Sequence, residues 1–368
     1  MTWCQFGAAV SASYVQHVLK RFYIPDEVQV FDKSVPKPCL PPMVPHFIGR
    51  QHKVEEISRA LTSTSAQVVS VSGPPGFGKT SLAIAVGHHV RQLGLPVYFL
   101  SLRSVKTTEE LISDLLNTFA HTSSDLTGRE RSKLFGLLSA IPSNICVILD
   151  NADDLFESSG ETSQHVLNLL EKIFSRCKNV SFLLTTRISL QLVLGRKFAG
   201  HTSVGVASLE RKSSQMLVQE LVPAGDESEC CRVAEVCGDV PLAMKLLCGQ
   251  IVDEKKSISQ FLDNFSRSSK KLADLLDDPD APNDQRLKVL FESYFKRLSP
   301  EEQEAFVCLS VFVSEVFDEQ AAVYVIGGDK DTAKKTLLRL KRKSLVEANE
   351  RNCSRSTKAV PELLRQIV

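Results

Sequence analysis

From residue 68 to about 205 the apolar positions follow two alternating patterns. Short apolar or β-branched runs lie at 68–72, 97–101, 145–149 and 181–185, with a weaker one at 202–207. Between them, apolar residues recur at helical spacing near 79–92, 108–120, 129–140 and 163–176. Strands alternating with helices predict a parallel sheet covered on both faces. Such sheets bind ligands at the carboxyl ends of their strands. From 209 to about 272 only helical periodicity remains, in four short stretches, which predicts an all-α helical subdomain. Further helices are expected near 287–297, 300–310, 318–325 and 331–342, followed by a strand-like Ser344-Leu345-Val346-Glu347. Helices closed by a small β wing suggest a winged-helix module. Ahead of the sheet, residues 8–22 have the spacing of a short amphipathic helix. Residues 23–45 carry six prolines and read as an extended linker. The expected division is therefore a helical segment over 1–22, the linker over 23–45 and an α/β domain over 46–207. The helical subdomain follows over 208–278, and a winged-helix-like domain over 279–368. The last boundary falls at the acidic, proline-broken Asp277-Asp278-Pro279-Asp280-Ala281-Pro282.

The first apolar run leads directly into Gly73-Pro74-Pro75-Gly76-Phe77-Gly78-Lys79-Thr80-Ser81, after which the helical pattern begins. Strand, glycine loop and helix in that order are the context of a phosphate-binding loop. Gly76 and Gly78 permit backbone conformations that a Cβ forbids, so N–H groups can turn inward. The opening of the helix adds a partial positive charge at the same place. Lys79 is expected to reach the terminal phosphates and Thr80 to ligate Mg²⁺. A fully apolar run, 145–149, ends at Asp150, which would place a carboxylate beside the glycine loop as the Mg²⁺ partner. Asp153 and Asp154 follow; polarising a water and capping a turn are both open to them. The run 181–185 ends in Thr185-Thr186-Arg187. A fork-shaped guanidinium there either reads a γ-phosphate or pairs with a local carboxylate. Pro241, in Gly238-Asp239-Val240-Pro241-Leu242-Ala243, stands where a helix starts, which by itself is structurally ordinary.

Composition narrows the class without adding chemistry. The chain has 43% hydrophobic and 24% charged residues and a net charge of +1, as in a soluble globular protein without a polyanion-binding bias. Its ten cysteines are scattered, with no Cys-x-x-Cys and no zinc spacing. No signal peptide and no run of 18 apolar residues is found, so the expectation is a cytoplasmic protein with no membrane span. His88-His89 reads as a surface pair. Residues 329–343 hold seven Lys/Arg against two Asp around a stripe of Ala333, Leu337 and Leu340. A solvated charged face is the commoner origin of such a run, so nucleic acid is not an expected partner.

Taken together, Phe47-Ile48-Gly49-Arg50, the phosphate loop, Leu149-Asp150, Thr185-Thr186-Arg187 and Gly238-x-x-Pro241-Leu242-Ala243 resemble the NB-ARC domain in order and spacing. That domain is found in apoptotic-protease activating factors and plant disease-resistance proteins. It falls within the signal-transducing ATPases with numerous domains, the STAND class of P-loop NTPases. Leu298-Ser299-Pro300-Glu301-Glu302-Gln303 looks like that family's winged helix, and the resemblance covers residues 46–368. It implies a switch that holds ADP when closed, exchanges it for ATP with Mg²⁺, opens and oligomerises with itself or related proteins in innate-immune or cell-death signalling. It names no effector or adaptor. It also implies that Phe47, Ile48 and Arg50 line the adenine site, that Pro241 and Leu242 pack on the base from the helical side, and that Arg187 senses the γ-phosphate. Two departures stand out. Asn151 follows Asp150 where the family often has a second acid, and an amide cannot serve as a general base. Val360-Pro361-Glu362 aligns with the family's Met-His-Asp, and proline cannot supply the histidine's contact. A turnover ATPase and a regulatory module binding longer relatives are the rival readings.

Overall fold

In the computed structural model, the described residues are 40–62, 68–102, 105–119, 130–157, 160–198, 200–268, 292, 295–312, 316–343, 345–351 and 354–359. The expected helix at 8–22, most of the proline linker, the acidic segment at 277–282, most of the helix near 287–297 and Val360-Pro361-Glu362 lie outside them. The described chain forms two compact units, residues 40–297 with 342–343, and residues 298–341 with 345–359.

In the larger unit five strands form one parallel sheet: β1 (Val68–Ser72), β2 (Val97–Ser101), β3 (Ile145–Asp150), β4 (Val180–Thr186) and β5 (His201–Gly205), in the order β2-β3-β4-β1-β5. Four of the strands fall on the strong apolar runs, as a sheet covered on both faces favours, while the edge strand β5, His201-Thr202-Ser203-Val204-Gly205, falls on the weak run and is only partly buried. Odd and even positions then serve different layers. Cys146 and Ile148 of β3 and Leu183 of β4 join one buried cluster, with Val69 and Val71 of β1. Ile145, Val147 and Leu149, with Phe182 and Leu184, join the other. The first layer is built with helices α1 (Gln51–Leu61) and α2 (Lys79–Gln92), and the second with α3 (Thr108–Phe119), α4 (Glu130–Ala140) and α6 (Gly160–Arg176). Short helices α5 (Asp153–Glu157) and α7 (Gln191–Leu194) follow the ends of β3 and β4. His88 on α2 is not a surface residue as the sequence suggests. It is half-buried, and its Nε2 lies 2.8 Å from the Pro41 carbonyl.

Four helices then follow: α8 (Arg211–Leu221), α9 (Glu227–Val236), α10 (Pro241–Glu254) and α11 (Ile258–Ser268). Leu217, Val233, Leu247 and Phe261 from these helices belong to the same buried cluster as Val69 and Leu82. The helical segment and the first face of the sheet therefore share one continuous core. Helix α9 opens with a reciprocal capping box: Asp226 accepts from the Glu229 N–H, and the Glu229 carboxylate accepts from the Asp226 N–H. Pro241 occupies the first turn of α10, where its missing N–H costs nothing.

The smaller unit starts at α12 (Pro300–Cys308), capped by Ser299 and Glu302, and continues through a 3₁₀ turn, Leu309–Val311. Strand β6 (Val316–Asp318), helices α13 (Glu319–Ile326) and α14 (Lys330–Arg342), and strands β7 (Val346–Arg351) and β8 (Ser354–Ala359) complete it. The strands pair antiparallel in the order β6-β8-β7. Phe306, Leu309, Phe317, Leu337 and Leu340 are buried in it.

Two measurements test this packing. Phe182, fully buried on β4 with the Phe174 ring edge-on 5.5 Å away, should cost about 3–5 kcal/mol when changed to Ala, read from urea unfolding. The Glu229 carboxyl is held below its ordinary pKa first by the Ser259 hydroxyl, then by the Ser259 and Asp226 backbone N–H groups. A carboxyl depressed on folding stabilises the native state above its unfolded pKa, and that contribution is lost as pH falls through the folded value. Glu229→Gln should therefore flatten the acid limb of the stability–pH profile while leaving the neutral region's slope unchanged.

Candidate functional site: a phosphate loop and the cleft beside it

Parallel register brings the site together. Ser72 lies opposite Thr186 on one side and Gly205 on the other, and Leu149 lies opposite Leu184. The ends of β1, β3 and β4 thus share one edge, and Thr185 stands beside Asp150. The loop leaves β1 at Gly73, where a Cβ would lie 2.3 Å from the Val206 carbonyl oxygen, so only glycine fits. Gly76 and Gly78 have φ of 78° and 82°, and Gly78 caps the amino end of α2 without any side-chain hydrogen bond. The first N–H groups of α2 are therefore not taken up by a capping side chain, and they face the phosphate position in this kind of loop.

Three side chains converge beside the loop. Lys79 is buried, and its Nζ donates to the Pro74 carbonyl at 3.0 Å, inside the loop. The Thr80 hydroxyl donates to Asp150 Oδ1 at 2.8 Å, and the Thr185 hydroxyl donates to the same oxygen at 2.6 Å. Asp150 is completely buried. The Thr185 oxygen accepts the Asn151 N–H at 2.9 Å, so one hydroxyl ties the carboxylate to the turn after it. Asn151 sits at φ 63°, a left-handed conformation that asparagine tolerates better than most side chains. The geometry gives a local reason for an amide at this position. A buried ammonium, a hydroxyl, a carboxylate, helix N–H groups and a glycine cradle are the donor set of a Mg²⁺-bound polyphosphate, and the residues fit that group. Among the described residues no cluster of three or more His, Cys, Asp or Glu is arranged to hold a metal by itself.

Asp153 and Arg187 meet here. Asp153 Oδ1 accepts from the Thr186 hydroxyl at 3.0 Å and from the Arg187 N–H, and Oδ2 lies 3.9 Å from Arg187 Nε. Of the two arrangements open to Arg187, this structure holds the local carboxylate pair. Asp153, in turn, fastens the end of β4.

Beside the loop lies a small, partly open cleft. Phe47, Ile48, Arg50, Gly78 and Ser81 line one side. Pro241, with Leu209, Leu217 and Lys245, lines it from the helical segment. Arg50 is almost fully buried; it donates to the Phe77 carbonyl and, at 2.8 Å, to the Ala207 carbonyl. Burial lowers its pKa to about 10, which leaves it charged at neutral pH. Phe77 contributes to the loop through its backbone, since its ring is buried in the core. Leu242 is not a lining residue of the cleft; its backbone N–H instead donates to the Gly76 carbonyl at 3.3 Å, joining α10 to the phosphate loop. The sequence reading missed Leu209, Leu217 and Lys245. Lys245 was the legible one, four residues after Pro241 on a helix and hence on the same face. His46, also at the cleft, pairs with Glu220 at 2.7 Å.

Replacing Thr185 with Val keeps the shape but removes both hydrogen bonds, leaving the half-buried Asn151 N–H and the buried Asp150 oxygen without that partner. A loss of about 1–3 kcal/mol in chemical unfolding is expected.

Known proteins place this arrangement. Residues 67–224 match the model of the NACHT domain, which like the NB-ARC domain falls in the STAND class. The chain is 26% identical over 326 residues to the regulatory protein AfsR of Streptomyces griseus, covering 84% of this chain and 31% of AfsR. It is 23% identical over 332 residues to an uncharacterized WD repeat-containing protein of Nostoc sp., covering 83% of this chain and 25% of that protein. The chain thus spans about a third or less of the length of these curated relatives. Among solved structures, a STAND protein with a tetratricopeptide repeat sensor from Pyrococcus horikoshii superposes with a TM-score of 0.56 at 17% identity. That superposition covers 92% of this chain and 44% of the other, and it speaks for the fold. Sheet, loop and family match agree: the fold is that of a P-loop NTPase, with a nucleotide-binding domain that matches NACHT over residues 67–224.

Proposed function

We propose that this chain is a nucleotide-dependent signalling switch of the STAND kind, related to the NB-ARC and NACHT proteins, that takes ATP or ADP with Mg²⁺. The observation that carries the reading is the cleft itself. It is lined by Phe47, Ile48, Arg50 and Ser81 on one side and by Pro241, Leu209 and Lys245 of the helical segment on the other. An adenine nucleotide in it would touch both modules. A ligand shifts a conformational equilibrium by its differential affinity for the two arrangements, and near-complete switching needs roughly 5.5 kcal/mol of difference.

Lys79 and the opening of α2 would hold the phosphates. Thr80 and Asp150 would hold Mg²⁺, whose charge offsets that of the phosphates. Gly73, Gly76 and Gly78 keep the backbone close to them, while Phe47, Ile48 and Pro241 form the walls for the base. Arg187, on the surface side of its pair with Asp153, is the group we assign to γ-phosphate sensing: exchanging one carboxylate partner for a phosphate is a two-state contact. Asn151 in place of an acid favours slow hydrolysis, so nucleotide identity rather than turnover sets the state.

The helix–strand–helix–helix–hairpin order of the smaller unit supports the winged-helix reading. The free thiols among the described cysteines favour a reducing compartment such as the cytoplasm, and no described helix is long and apolar enough to cross a membrane. The AfsR likeness supports a regulatory role.

The purified chain should release adenine nucleotide on acid extraction, identified by chromatography. No co-purifying nucleotide and no binding below millimolar ATP would sink the switch reading. Lys79→Ala should weaken ATP binding by at least about 100-fold in calorimetry, as expected when a buried charge-assisted phosphate contact is lost. Its nucleotide-free melting temperature should not fall.

A further inference from the structure

The nucleotide site leaves one motif unused, the cationic run on α14. Helix α14 buries Ala333, Thr336, Leu337 and Leu340. At 100° per residue these occupy a sector roughly 100° wide. The opposite face exposes Lys334, Lys335 and Arg339, with Leu338, 45% exposed, and Asp331 among them, while Lys330 lies at the margin of the buried stripe.

The charge is segregated along the chain. Residues 298–329 contain seven Asp/Glu and no Lys or Arg, whereas residues 330–343 contain seven Lys/Arg and one Asp. A net charge of +1 for the whole chain shows that this face is not a product of overall basicity. A face serving only solubility would intersperse both signs. The nearby acids are partly committed elsewhere. Asp329 accepts from the Thr332 N–H and hydroxyl, both at 3.0 Å, and caps the helix. Glu319 holds Lys341 at 3.0 Å, and Glu301 reaches Arg339 only at 3.9 Å between exposed side chains. Lys334 and Lys335 stand on the open face, Lys335 near the Asp329 carboxylate.

We propose that this face of α14 binds the phosphate backbone of duplex DNA. From Lys334 to Arg339 it runs roughly 8 Å along the axis, and a helix about 10–12 Å wide fits the B-form major groove of about 12 Å. An antiparallel hairpin, β7–β8, follows the helix directly, and a helix presented after a helical turn in this way is a recurrent groove-docking geometry. Lys334, Lys335 and Arg339 supply contacts to phosphates, and Leu338 supplies an apolar contact to base edges or sugars. Affinity from such contacts is mainly electrostatic, steeply salt-dependent and weakly sequence-selective.

The test is fluorescence anisotropy of a labelled mixed-sequence duplex titrated with the full chain between about 50 and 200 mM salt. Binding should weaken with a log–log slope of about −3, the value for about three neutralised phosphates. Lys334→Glu/Lys335→Glu should weaken binding at least about 10-fold and reduce the slope by about 2, with an unchanged melting temperature. Lys334→Gln/Lys335→Gln, which adds no acid, should fall between. Lys79→Ala should bind the duplex as the parent does. Absence of salt-dependent binding, or equal binding by the reversed variant, overturns the proposal. So does a preference for phosphatidylserine-containing vesicles over the duplex, or a charge reversal that abolishes self-association in sedimentation and leaves DNA binding intact.

Discussion

Asp150 is a completely buried carboxylate whose Oδ1 accepts two hydroxyls, from Thr80 and Thr185. A charge out of water is tolerable only with partners, and these partners come from the first turn of α2 and the end of β4. That requirement ties three elements into one edge. The glycine loop lies between β1 and α2, so its shape depends on the same knot. Thr185 then passes the constraint to Asn151, and Asp153 passes it to Arg187. The chemistry at this edge is the consequence of housing one charge.

A second constraint joins the loop to the helical segment. Leu242 donates to the Gly76 carbonyl, and Leu209, Leu217 and Phe261 pack into the cluster that covers the first face of the sheet. The arrangement sets an extensive apolar interface beside a small cleft whose mostly apolar lining carries Arg50 and Lys245. Such a pairing suits a molecule in which one small ligand decides between two packings, because packed cores shift between discrete arrangements rather than deform continuously. Arg50 strengthens the same junction, since its guanidinium is spent on the Phe77 and Ala207 carbonyls and not on a carboxylate.

The parts legible in the sequence are those set by local periodicity and by chain order. The runs became strands within one or two residues, most sharply at β3 and β4, which lie inside the sheet and are buried at every position, and least so at the polar edge strand β5. The glycine loop, Asp150 and Pro241 were placed by their position relative to a strand or a helix start. Leu209 and Leu217 were not legible as cleft residues, because nothing local distinguishes a helix face turned to a cleft from one turned to a core. His88 was misjudged for the same reason: its partner is a carbonyl 47 residues away.

Arg187 shows where sequence stops. The order of residues determined that a strand ends in Thr185-Thr186-Arg187 at the loop's edge, and that Asn151, not an acid, follows Asp150. Those facts are covalent, and alternation and spacing carry them. Only the tertiary structure decided that Asp153 lies against Arg187, that one threonine hydroxyl serves both Asp150 and Asn151, and that two modules face each other across a cleft. Each of these is a contact between residues tens to nearly two hundred positions apart. Strand register and helix packing choose such neighbours, because the free energy that selects them comes from burying the whole surface and not from any local segment.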